Sequence, residues 1–275
     1  MRGFFVLSHL AFNFSKNLLM KLAYREFGSG QPLIILHGLF GQSDNWNTLS
    51  KNFSEQGFQV FALDQRNHGL SPHSDSWSYV DMAKDLNEFI NDKQLVNPIL
   101  LGHSMGAKTV LFHQFLFPKV ASKLILVDMA ARGYEPHHQQ VLAALSAVDF
   151  NTIKSRKEAE MILNHYLDDF GTKQFLLKNI YWKDQAESKL DWRFNLKVIN
   201  NQYHQVGVEV PFFKDETETL VIRGEKSNYI LPTDIEDYKN RFMNLQIVSI
   251  ADAAHWVHAE KPKEFYESVI NFIKA

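Results

Sequence analysis

From residue 20 onward the chain alternates short apolar runs with longer stretches whose apolar residues recur at helical spacing, and no other feature restricts the fold as much. LAYREF reads as an edge strand. PLIILHG, FQVFALD, NPILLG, KLILVD, TLVIRG and LQIVSI read as buried strands, each ending in polar or glycine-containing residues. Between them lie helical patterns such as SDNWNTLSKNFSEQG, ending at Gly57, and YVDMAKDLNEFINDKQL; KPKEFYESVINFIKA closes the chain. Strands that are apolar throughout must be covered on both faces, so the expected class is α/β, a mainly parallel sheet flanked by helices. A length of 275 residues suits one such core carrying an insertion.

The alternation breaks once. From about Arg132 to about Val210 no good strand is read, but apolar residues recur at helical spacing: Leu142, Leu145 and Val148, then Ile162, His165 and Tyr166, then Phe194, Val198 and Ile199. Residues 132–210 are therefore expected to form an inserted helical cap on a core made of 20–131 and 211–275. Tyr181, Trp182, Trp192, Phe194 and Tyr203 are expected mainly in the cap's own core, with some of them turned to the cleft beneath. The first nineteen residues do not match a secretory signal, since polar residues break the apolar run FFVL and no small-residue cleavage site follows. They read as an amphipathic extension of no assigned function ahead of a start at Met20, and the protein is expected to be cytoplasmic.

Several partners are disfavoured. A formal charge of −2 without a basic cluster offers no footprint for nucleic acid or an anionic membrane. The absence of cysteine removes thiolate nucleophiles and Cys-based zinc sites. His137 and His138, in EPHHQQ, read as a solvated helix start rather than a ligand pair. No metal and no cofactor are expected.

The chemistry is carried by PILLGHSMGAK. Gly102-His103-Ser104-Met105-Gly106 follows a buried strand and precedes the helical stretch AKTVLFHQFLF, the setting in which G-x-S-x-G places a serine on a strained turn. Side chains two residues either side would collide with neighbouring strands, which explains both glycines. A serine hydroxyl needs a base. His255 qualifies because it follows the last strand and precedes the C-terminal helix, so its loop reaches the sheet edge where Ser104 lies; His258 is the rival, more suited to packing, and His103 must point away from the nucleophile. The loop LHGLFG, leaving the third strand, can present the backbone N–H of Leu39 to an oxyanion, with the N–H of Met105 as its partner, while His37 and Gly38 shape the turn.

LHGLFG, DQRNHGLS, GHSMG and AHWVHAEKP, in this order over residues 20–275, resemble the α/β-hydrolase superfamily of serine esterases. DQRNHGLS carries Asn67 where the family pattern has its first glycine, and this variant is similar to the YbfF-type esterase and acyl-thioesterase group. The resemblance implies that Asp64, Arg66 and His68 anchor the loop after the fourth strand. Most members place the triad acid after the penultimate strand, yet here RGEKSNYI puts Ser227 in that slot. Glu225 lies two residues early in a charged run, and Asp252 sits three residues before His255 on one loop. Asp128 ends the strand KLILVD, and the YbfF-type group resembles an arrangement with the acid moved there, so Asp128 is the expected acid; otherwise it is an ordinary loop aspartate in water. The expected activity is hydrolysis of carboxylic esters, or acyl thioesters, through an acyl-enzyme on Ser104, with a small-molecule substrate. The alternatives are carbon–carbon bond hydrolysis or a lyase step, with Arg156, Lys173 and Arg193 holding a carboxylated substrate, and a non-catalytic ligand receptor.

Overall fold

The computed structural model describes residues 20–135 and 137–275, so the extension read for residues 1–19 lies outside it. The strands are β1 (Tyr24–Phe27), β2 (Gln31–Leu36), β3 (Phe58–Leu63), β4 (Ile99–His103), β5 (Lys123–Val127), β6 (Ile180–Asp184), β7 (Lys189–Trp192), β8 (Glu218–Gly224) and β9 (Leu245–Ile250). The helices are α1 (Asn47–Ser54), α2 (Tyr79–Asp92), α3 (Met105–Leu116), α4 (Gln139–Ala147), α5 (Arg156–Leu163), α6 (Phe170–Leu177), α7 (Leu196–Asn201), α8 (Pro232–Arg241), α9 (Val257–Glu260) and α10 (Pro262–Lys274). Seven strands form one sheet in the order β1-β3-β2-β4-β5-β8-β9, with β1 antiparallel to β3 and every other pair parallel. The loops counted in the sequence as following a third and a fourth strand follow β2 and β3, because one strand precedes them among the described residues.

Pleating divides each central strand between two cores. Leu33 and Ile35 of β2, with Leu101 and Val127, pack on Leu49 and Phe53 of α1 and Phe265 and Val269 of α10. Ile34 and Leu36, with Leu100 and Leu126, pack on Leu86 of α2 and Val110 of α3. Helix α3 is buried all round from Met105 to Gln114, its polar residues Lys108, Thr109, His113 and Gln114 included. The second core continues into residues 142–203, including Leu145, Leu163, Phe194 and Ile199, so the inserted segment and the sheet share one apolar interior.

The insertion is not wholly helical. Besides α4 to α7 it contains the antiparallel hairpin β6–β7, which corrects the expectation that no strand lies between 132 and 210. IYWKD and KLDW are rich in aromatic and aliphatic residues, with Ile180, Leu190 and Trp192 buried, while Trp182 and the connecting turn are exposed. Chain order places β3 on one side of β2 and β4 on the other, which opens a crevice at the carboxyl ends of β2 and β4. Among the described residues no helix is long and apolar enough to cross a membrane.

Candidate active site

Ser104 sits between β4 and α3 at φ +54° and ψ −119°, a conformation L-residues avoid, and its N–H is held by the carbonyl of Val127 at 3.0 Å. The flanking glycines follow from this tight turn. A Cβ on Gly106 would lie 2.4 Å from the carbonyl oxygen of Leu36 on β2, and one on Gly102 would lie 2.3 Å from the backbone of Gly106. Only the first is a collision with a neighbouring strand; the second is with the start of α3 itself.

His255, Asp128 and Ser104 lie in one line. His255 Nε2 is 3.0 Å from Ser104 Oγ, and its Nδ1 is 2.8 Å from Asp128 Oδ2. A carboxylate beside Nδ1 fixes the hydrogen on that nitrogen, which leaves the Nε2 lone pair facing the hydroxyl. Asp128 is fully buried and has φ +47°. Its N–H donates to Ile222 O at 2.8 Å, and Oδ1 accepts from the N–H of Gly224 at 3.1 Å. Oδ2 also accepts from the hydroxyl of Ser227, the residue in the slot where the family pattern expects the acid. Asp252 and Glu225 are exposed; Asp252 pairs with Lys226 at 2.7 Å, which holds its carboxyl below the usual range.

The other histidines are placed differently. His258 stacks on Trp46 with centroids 4.3 Å apart and meets His103 edge-on at 4.6 Å; loss of solvent, aided by His255, lowers it to about 3. His103 turns from Ser104 and bonds the carbonyl of His255 at 2.9 Å. His37 accepts the N–H of Gln65 on Nε2 at 3.0 Å, so its Nδ1–H donates to Gly38 O at 2.8 Å and shapes the turn. A Cβ on Gly38 would stand 3.2 Å from Ser104 Cβ, so this loop lies against Ser104 and carries Leu39 beside it, while Met105 opens α3.

DQRNHGLS forms a scaffold after β3. Asp64 accepts the N–H groups of Ser43 at 2.5 Å and Leu70 at 2.8 Å, and Arg66 makes a two-pronged pair with Asp85 at 2.6 and 2.7 Å. Asn67 has φ +64°, which a glycine or asparagine accepts readily, and its carbonyl receives the N–H of Asn195 from the inserted segment at 2.8 Å.

A cavity of about 1020 Å³ opens over Ser104 and His255. Leu39 and Met129 line it from the sheet edge, and Val141, Phe175 and Val206 line it from the inserted segment. Tyr181, Trp182, Trp192, Phe194 and Tyr203 do not line it, so the aromatic residues of the wall differ from those the sequence singled out. Trp192 and Phe194 instead stack on one another inside the segment. Arg156 donates to Ile180 O, Lys173 to Asn164, and Arg193 lies over Tyr181; none faces the cavity.

Sequence reasoning missed Tyr229 and misplaced His138. The ring of Tyr229 stacks on His255 with centroids 3.8 Å apart and an interplanar angle of 18°. His138 does precede α4, yet its ring faces the cavity between Tyr203 and Tyr229, and burial lowers it to about 4. Tautomers follow from the partners. Tyr203 accepts the backbone N–H of His138 and donates to its Nδ1, so His138 Nε2–H donates to the Tyr229 oxygen at 3.3 Å. His137 Nδ1 donates to Glu135 O, so its Nε2 accepts the Tyr229 hydroxyl at 2.7 Å. No sequence signal short of the tertiary pairing points to this wall. Among the described residues no group of three or more His, Cys, Asp or Glu could hold a metal ion.

Residues 31–262 match the family described by the alpha/beta hydrolase fold. The chain belongs to the α/β-hydrolase family. It is 33% identical to esterase YbfF of Escherichia coli, over 89% of this chain and 94% of that one, and 33% identical to the mouse sn-1-specific diacylglycerol lipase ABHD11, over 88% and 80%. A solved marine microorganism esterase superposes with a TM-score of 0.88 at 37% identity, covering 92% of this chain and 99% of that one. These likenesses make the chain a hydrolase of carboxylesterase type.

Proposed function

We propose that this hydrolase is a serine carboxylesterase in which Ser104 is the nucleophile, His255 the general base and Asp128 the orienting acid. The observation that carries the reading is the continuous line Asp128–His255–Ser104, at 2.8 and 3.0 Å, opening on a cavity of ligand size. Residues 132–210 act as the cap that forms the far wall. Ser104 Oγ attacks the acyl carbonyl while His255 Nε2 takes its proton, and Asp128 stabilises the resulting imidazolium. The backbone N–H groups of Leu39 and Met105 receive the negative charge on the carbonyl oxygen, each worth about 3 kcal/mol in the transition state. His255 then gives the proton to the departing alkoxide or thiolate. Water attacks the acyl-enzyme, His255 takes and returns a proton once more, and the acid leaves with Ser104 restored.

The substrate is a small-molecule acyl ester, with acyl thioesters as the second leaving-group class. The lipase name of the mouse relative supports acylglycerols among the esters, and Val141, Phe175 and Val206 offer an apolar wall for an acyl chain. The bonds made by Arg156, Lys173 and Arg193 away from the cavity remove those three cations as holders of a carboxylated substrate, which leaves Lys178 on the cavity wall for a carbon–carbon or lyase reading. A panel of aryl esters and acyl-CoA thioesters of graded chain length, reported as kcat/KM, tests the reading. Absence of turnover on the whole panel would leave the receptor alternative.

A further inference from the structure

Lys108, one turn beyond Ser104 on α3, has no place in this mechanism, and it is completely buried. An ammonium group out of water costs several kcal/mol unless it is well paired, and loss of solvent, aided by Arg132, lowers Lys108 to about 7, so near neutral pH its Nζ is a hydrogen-bond donor that is only partly charged. A methionine of similar length would avoid that cost. Its surroundings show what it holds. Nζ donates to the carbonyl of Val208 at 2.6 Å and stands 4.7 Å from the ring centre of Tyr134 and 5.7 Å from that of Tyr79. Tyr134 and Val208 belong to the two segments through which the chain enters and leaves the cap.

Those segments are tied to one another. Tyr134 N–H donates to Gly207 O, and Val210 N–H donates to Ala131 O, both at 2.8 Å. They touch so closely that a Cβ on Gly207 would lie 2.1 Å from Tyr134 O. Tyr79 of α2 adds a hydroxyl bond to Val206 O at 3.0 Å, and the Arg132 guanidinium lies 4.1 Å from the Tyr134 ring while pairing with Asp234. Within this neck, Lys108 joins both segments to the helix that bears the nucleophile. Tyr134 and Val206 themselves line the cavity, so the neck's position sets part of its wall.

We infer that Lys108 is a positioning residue: its Nζ donor registers the two neck segments of the cap on α3 and thereby fixes the acyl-binding wall relative to Ser104. The kinetic consequence rests on the proposed esterase function; the structural one does not.

The test is Lys108→Met, examined by hydrogen exchange, thermal unfolding and ester kinetics. The expected result is an unfolding midpoint at or above that of the unsubstituted protein, with amides of residues 131–134 and 206–210 exchanging about tenfold faster while β4 and β5 are unchanged. For long-chain esters KM should rise roughly fivefold at near-constant kcat, the mark of lost binding rather than lost chemistry. Neck exchange at the original rate would overturn the inference, as would acceleration spread evenly through the sheet, which marks a packing role. Should Lys108→Met fail to fold, Tyr134→Leu removes the ring that Nζ faces and leaves α3 intact. Selective loosening of residues 206–210 would then support the inference, and unchanged exchange there would overturn it. If Ser104→Ala retained activity, the esterase mechanism would fail while the exchange result would stand.

Discussion

The two walls of the cavity are held in different ways. On the sheet side the groups proposed to react are fixed through the main chain: Ser104 N–H bonds Val127 O, Asp128 N–H bonds Ile222 O, and both residues are kept at positive φ where β4 and β5 end. On the other side the main chain ties the two ends of the inserted segment, Tyr134 N–H to Gly207 O and Val210 N–H to Ala131 O, but the wall beside His255 is held through side chains, with His137 and His138 joined to Tyr229 and Tyr203 joined to His138. Main-chain bonds at strand ends take their register from the whole ladder, so one side-chain substitution nearby does not shift them. A bond between side chains is worth about 1 kcal/mol and disappears with either partner. The sheet edge is thus suited to chemistry that tolerates no displacement, and the cap to selectivity that can be retuned.

If that division is right, the largest losses lie on the sheet side. Ser104→Ala should lower kcat by roughly 10⁵- to 10⁶-fold with an unchanged circular dichroism spectrum, since it removes a nucleophile and no core volume. Activity within tenfold of the original would end the serine mechanism. Asp128→Asn comes next, at about 10⁴ in kcat, because an amide keeps the size but favours the wrong imidazole tautomer. Asp252→Asn and Glu225→Gln, both on exposed carboxylates away from His255 Nδ1, should stay within a few-fold. The reverse order among these three would reassign the acid.

The same division explains what could be read without coordinates. Ser104, His255 and Asp128 lie together; the first two are marked locally, by two glycines around a strained serine and by a position between the last strand and the last helix, whereas Asp128, an aspartate ending an apolar run, was singled out by the resemblance and by the lack of an acid in the usual slot. Ser227 was noticed as the occupant of an acid's usual slot, but its bond to Asp128 spans 99 residues and leaves no local trace. Tyr229 and His138, 91 residues apart, are likewise brought together only by the folded cap. The polar neighbours of His137-His138 point to a solvated helix start, which fits the exposed His137 and the place of His138 before α4 but not the ring of His138, whose spatial neighbours are tyrosines. The β6–β7 hairpin was overlooked because IYWKD and KLDW are short and flanked by helical spacing, so the longer period dominated the reading.

On the cap side effects should be smaller and should fall on selectivity. Phe175→Ala, which removes a ring packed on Trp256 at 5.3 Å, should shift the preferred acyl length and change kcat/KM for the longest esters by roughly tenfold, with kcat for a short ester little altered. An equal fall for all chain lengths would mean that this wall serves the chemistry, and the contrast between the two sides would fail.

The smallest difference is expected in the pH dependence of stability. Loss of solvent lowers His37 to about 4, His68 to about 3 and His258 to about 3 on the sheet side, and His138 to about 4 on the cap side. An unfolded histidine binds its proton near pH 6.5. Between about pH 6.5 and 4 the unfolded chain therefore holds more protons than the folded one, and stability must fall as the pH falls through that window. Above pH 6.5 these groups are neutral in both states and contribute no slope. Each such histidine adds up to one proton to the difference, so His138→Gln should reduce the acid slope by at most one proton while the sheet-side histidines, with His103 and His113 also lowered by burial, keep the rest. Urea unfolding at pH 7.5, 6 and 5 measures it. A slope abolished by the single His138 substitution would mean that the cap-side chain of Tyr203, His138, Tyr229 and His137 governs the acid stability of the whole molecule, and the wall held by side chains would then be the less replaceable of the two.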